Sequence, residues 1–165
     1  MPIRNILLGL FLALPLSACG YQILRGDLAS GIRFAVPSAT DSSEFAGLDA
    51  ELTQAVRKQL FSMIGAKVGD VSSDYRLELV ISKAQRSARA WSRNGGVNMG
   101  MVVIAVKYKL IEINSKQSVL ESNISRNQEF LFSTGENTTH AFSEAIADIT
   151  QQIVLEIAEH LSEIN

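Results

Sequence analysis

Cysteine is nearly absent from the 165-residue chain: Cys19 is the only one, so no intramolecular disulfide framework can exist. Histidine is scarce too, with only His140 and His160, and a zinc site needs three or four clustered ligands. Three prolines and eleven glycines, with no tract of either, exclude collagen-like and low-complexity classes. Neither sign of charge dominates: 15 Lys+Arg against 17 Asp+Glu leave a net charge of -2. A general nucleic-acid binder would carry a basic excess, so any cationic function here is local. No apolar run approaches the roughly 20 residues that cross a bilayer as a helix. What is present is apolar content of 47%, enough for one core in one domain.

The longest apolar run, Ile6 to Leu16, follows Arg4 and the amino terminus and reads as a signal peptide over residues 1–18. It ends in Leu16-Ser17-Ala18-Cys19. Small residues at the cleavage point followed by a thiol form a bacterial lipobox, which makes Cys19 a lipidation site and the first mature residue. An Asp after the lipidated cysteine commonly retains such proteins at the inner membrane; Gly20 stands there instead, which favours the outer membrane. Residues 19–31 read as a lipidated tether and residues 32–165 as a single domain.

Within that domain Ile32 to Val36 reads as a strand ended by Pro37, followed by a polar loop. From Leu48, the series Leu48, Leu52, Val56, Leu60 and Met63 or Ile64 predicts an amphipathic helix stopped by Gly65, with Asp49 and Glu51 early and Arg57 and Lys58 late. Tyr75, Leu77, Leu79 and Ile81 alternate as in a half-buried strand. Val102, Ile104, Val106, Tyr108 and Leu110 share a face of the next strand, whose other face begins with apolar Met101, Val103 and Ala105; that half should be covered on both sides. A fourth, irregular strand spans Leu120 to Phe132, and Phe142, Ile146, Ile149, Ile153, Ile157, Leu161 and Ile164 predict a terminal helix. The expected fold is α+β: a two-layer sandwich of about four mostly antiparallel strands with two helices on one face, in the order β-α-β-β-β-α.

Catalytic signals are missing. His140 and His160 fall about 30 Å apart on one helix at 1.5 Å per residue and cannot share a metal. No Gly-x-Ser-x-Gly elbow occurs, and Gly95-Gly96-Val97-Asn98-Met99-Gly100 lacks the Gly-Lys-Ser/Thr ending of a phosphate loop. The expectation is a protein without enzyme activity or cofactor. Lys83, Arg86, Arg89 and Arg93 stand apart: four cations without an acid, with Trp91 among them, in a segment read as a hairpin loop. They suit phosphate or carboxylate groups; alternatively they are a solvated tip that discourages edge pairing.

The layout resembles the LptE (RlpB) family of lipopolysaccharide-assembly lipoproteins. The resemblance is carried by the lipobox running into Cys19-Gly20-Tyr21-Gln22-Ile23-Leu24-Arg25-Gly26, by Gly47-Leu48 through Leu60, by Tyr75-Arg76-Leu77-Glu78-Leu79 and by Arg93-Asn94-Gly95. It implies a one-to-one partnership with the outer-membrane β-barrel LptD, which the lipoprotein plugs and helps to assemble. It also implies binding of lipopolysaccharide on its way to the outer leaflet. By the same resemblance Arg93 matches a loop arginine implicated in lipopolysaccharide contact; Lys83, Arg86 and Arg89 join it on charge and proximity alone. A second basic position of the family, before the last helix, has no match, because Ser133 to Thr139 carries only Glu136, and Arg126 is the nearest substitute. The alternative expectation is an unrelated lipid-anchored scaffold or phospholipid-shuttle component of the envelope.

Overall fold

The computed structural model describes residues 28–69, 72–91, 96–132 and 137–164. The expected signal peptide, the expected lipidation site Cys19 and the candidate Arg93 lie outside the described residues. The elements run β1 (Arg33–Ala35), β2 (Thr40–Asp41), α1 (Leu48–Ile64), β3 (Lys67–Val68), β4 (Tyr75–Trp91), β5 (Val97–Glu112), β6 (Gln117–Leu131) and α2 (Thr138–Ile164). The α+β sandwich is as expected. The sheet has six strands where about four were anticipated; the additional two, β2 and β3, have two residues each.

The strand order is β3-β1-β4-β5-β6, with β2 also on β4. The long β4-β5-β6 meander is antiparallel, whereas β1 pairs parallel with both β3 and β4, and β2 parallel with β4. Parallel β1 and β3 need a crossover, which α1 supplies. Gly65 stops that helix at φ 71°, in the left-handed region that glycine enters at least cost. Its N–H donates to the Phe61 carbonyl at 3.1 Å and turns the chain into β3.

One core lies between helices and sheet. Leu52, Val56, Leu60 and Ile64 of α1 and Phe142, Ile146, Ile149, Ile153 and Ile157 of α2 meet Leu77, Leu79 and Ile81 of β4 and Val102, Ile104, Val106 and Leu110 of β5. Arg57 and Lys58 are not in the last turn of α1. Arg57 instead donates to the Val36 carbonyl, from Nε at 3.1 Å and Nη2 at 2.5 Å, tying α1 to the chain after β1. Ala29 is buried and its N–H donates to the Ile64 carbonyl at 2.8 Å. The end of the expected tether is therefore packed against the end of α1.

The irregularity of β6 has a direct cause. Ser122, Arg126 and Gln128 lie opposite Tyr108, Ile104 and Val102, so they share the helix-facing side of the sheet. There Gln128 Nε2 donates to Glu144 Oε2 at 2.9 Å, and Arg126 Nη2 donates to Gln152 Oε1. These polar side chains reach over the core margin to α2, as an amphipathic reach permits.

Candidate functional site

The cationic segment is a strand, not the loop its composition suggested: Lys83, Arg86 and Arg89 all lie within β4. Two irregularities decide how they are displayed. The pairing steps from Ile81 opposite Val106 to Lys83 opposite Ala105, so Ser82 is an extra residue, and its hydroxyl donates to the Ala105 carbonyl at 3.2 Å. A second shift lies between Ala88 and Ala90, at Arg89. Such bulges re-aim side chains relative to the pleat.

Directly opposed residues share a face. Arg86 opposes Val102, on the helix-facing side, whereas Lys83 opposes Ala105, on the outer side. Arg89 also reaches outward, its Nη2 and Nε lying 2.8 and 3.3 Å from Met101 Sδ. The structure thus places the three described candidates along one strand but divides them between its two faces. All three are exposed, and none is ion-paired with a described residue. Trp91 ends the strand at 65% exposure.

The outer face beside these cations is apolar and thinly covered. Met101 and Val103 are half-buried, Ala105 is buried, and Val80 and Leu131 are each 41% exposed. Among the described residues no helix lies over this face, so the cover expected for the first half of β5 comes only from neighbouring side chains such as Arg89. Under the helix-facing end of the hairpin, Phe130 lies across Gly100 and meets Phe132 edge-on at 5.1 Å.

Sequence reading missed one polar cluster. Tyr108 Oη donates to Glu156 Oε2, Gln152 Nε2 donates to Glu156 Oε1 at 2.8 Å, and Arg126 completes the chain through Gln152. Its signal was available as polar residues on the core parity of β6. The cluster links β5, β6 and α2, and it commits Arg126 to structure, which weakens it as a substitute lipid contact. Burial first, then the hydrogen bond to Glu156 and its negative charge, raise the Tyr108 pKa above the ordinary 10.0. A raised folded value means its contribution is intact below pH 10 and fades as pH rises past it, at up to about 1.4 kcal/mol per pH unit. Tyr108→Phe is expected to be less stable at neutral pH by about 1–2 kcal/mol, yet to lose less stability in alkali. Urea unfolding from pH 8 to 11 checks this; parallel alkaline slopes for both proteins would refute the assignment.

Among the described residues no three His, Cys, Asp or Glu side chains gather as a metal site, and no helix is long and apolar enough to cross a membrane. His140 is exposed beside Glu144 at 3.4 Å.

Comparison with solved structures finds the same fold in proteins of low sequence identity. A protein of Xanthomonas campestris superposes at TM-score 0.62 with 12% identity, covering 84% of this chain and 91% of its own. An uncharacterized lipoprotein B of Nitrosomonas europaea gives 0.57 with 17% identity and 84% and 91% coverage. A PelC dodecamer of Paraburkholderia phytofirmans gives 0.53 with 15% identity and 76% and 88% coverage. No curated protein sequence matches the chain significantly. The family model LptE, described as lipopolysaccharide-assembly, matches residues 33–161.

Proposed function

Because the chain belongs to the lipopolysaccharide-assembly family LptE, we propose that it is an outer-membrane lipoprotein that seats one-to-one inside an LptD-type β-barrel. There it assists barrel assembly and binds lipopolysaccharide in transit to the outer leaflet. It does so without catalysis or cofactor. The match spans every described strand and the body of both helices, which favours this reading over an unrelated scaffold or phospholipid shuttle.

In this reading the lipid on Cys19 holds the protein at the inner surface of the outer membrane. The β4-β5 hairpin meets the glycolipid. Lys83, Arg86, Arg89 and Arg93 supply cations for anionic lipid groups, arginine with the planar fork that grips phosphate. The observation that carries this part is the run of exposed, unpaired cations on β4 in a chain of net charge -2. Barrel docking is supported by the thinly covered apolar face beside them.

Arg89→Asp combined with Arg93→Asp tests the lipid part. Changing an exposed charge such as that of Arg89 costs about 0.5 kcal/mol of stability or less, so the fold is expected to persist. Two lost charge-assisted contacts weaken lipopolysaccharide binding by roughly tenfold or more. Unchanged binding to labelled lipopolysaccharide by the folded variant would remove these residues from the lipid site.

A further inference from the structure

Among the described residues, the edge of β4 from Lys83 to Trp91 is unpaired on one side. Below it, β1 covers Tyr75 and Arg76, and β2 covers Val80 and Ile81. Then the chain turns away: the Asp41 carboxylate accepts from the Ser43 N–H at 2.8 Å and the Ser43 hydroxyl at 3.0 Å, and the loop leads into α1. Beyond Ile81, β4 pairs with β5 on one side, and among the described residues no strand takes the other. The covered stretch ends at a cleft of about 200 Å³ lined by Ser42, Ser43, Ser82, Lys83 and Gln85. Alternate residues of this nine-residue stretch point backbone N–H and C=O groups away from β5, a template for another strand.

We infer that this edge receives an extended, acidic segment of a partner protein, which continues the sheet where β2 leaves it. The inference rests on the partner-binding reading above and names the surface and the chemistry of the segment, whose carboxylates compete with lipid anions for the same cations of β4. A backbone ladder selects another backbone, which a lipid lacks. The charge pattern selects its side chains. Lys83, Arg86 and Arg89 are spaced by three and divided between both faces, so carboxylates at every third residue of the incoming strand meet cations above and below the sheet. Another copy of this chain is a poorer fit. The exposed edge of its β6 carries acids only at Glu121 and Glu129, both on the outer face, and Glu121 is already paired with Lys109 at 3.6 Å.

The test uses the mature lipidated protein in detergent and a synthetic peptide of valine and threonine with glutamate at every third position. Two control peptides are needed: one with lysine for glutamate, and one that keeps the glutamates but is N-methylated at alternate residues so that it cannot extend a ladder. Amide hydrogen exchange is followed by NMR. The expected result is that alternate amides between Lys83 and Trp91 slow roughly tenfold with the acidic peptide at ten times its Kd, and are unaffected by either control. Three results would overturn the inference: no slowing, equal slowing by the N-methylated peptide, which means charge attraction alone, or slowing that follows protein concentration without peptide, which means self-pairing. None of these bears on whether a barrel copurifies, so failure here is separable from failure of the proposed function.

Discussion

Replacing Cys19 by serine is expected to transfer the protein almost completely from the membrane fraction to the soluble fraction of cells lacking the barrel partner. The effect should be large because the proposed anchor is wholly hydrophobic. At about 0.8 kcal/mol per buried methylene, each acyl chain contributes on the order of 10 kcal/mol, and two or more chains make release negligible. Among the described residues no helix is long and apolar enough to cross a bilayer. Membrane retention of the serine variant in those cells would contradict the lipobox assignment.

The second large effect concerns the hairpin that carries the cations. Phe130 is buried to 2% exposure at the far end of β6, and its ring occupies the space over Gly100. A Cβ on Gly100 would lie 2.4 Å from the ring Cζ, so no other residue fits unless the ring moves. Phe130→Ala is expected to cost about 3–5 kcal/mol, as burial of the ring is lost and a cavity opens. Gly100→Ala alone should also destabilise, because the enclosed ring must shift. In the Phe130→Ala background the same Gly100→Ala should become neutral or stabilising: the obstruction is gone, and alanine has less backbone entropy to lose. Thermal or urea unfolding of the four proteins measures the coupling. Additive costs would show that the ring does not depend on Gly100. Because this pair braces the end of the hairpin, amides of β4 beyond Ser87 should exchange faster in Phe130→Ala than those near Tyr75.

The elements that long-range periodicity can mark were legible in the sequence. Leu48 to Ile64 and Phe142 to Ile164 repeat at helical spacing, and both are helices. The strands β2 and β3 were not legible, since two residues carry no period, and Thr40 and Lys67 become strand only because β4 and β1 lie alongside. The mixed character of the sheet was hidden for the same reason. The reach of β4 was cut short at Ile81 because the bulge at Ser82 resets the parity, and beyond it polar residues occupy both faces. Apolar alternation therefore stops where the strand continues.

The candidate site was partly legible. Charge composition alone singled out Lys83, Arg86 and Arg89, and the fold places them on one strand. Their division between two faces depends on register, which the sequence does not carry. The role of Arg126 in bonding α2 depends on its position opposite Ile104, again a matter of pairing.

The most direct test of the proposed function is purification of the mature protein, tagged at its C-terminus, from mildly solubilised outer membranes, with mass identification of what accompanies it. The account predicts one large β-barrel protein of the lipopolysaccharide-export type in equal molar amount. Recovery of a different envelope complex, or of the lipoprotein with no barrel, would contradict it.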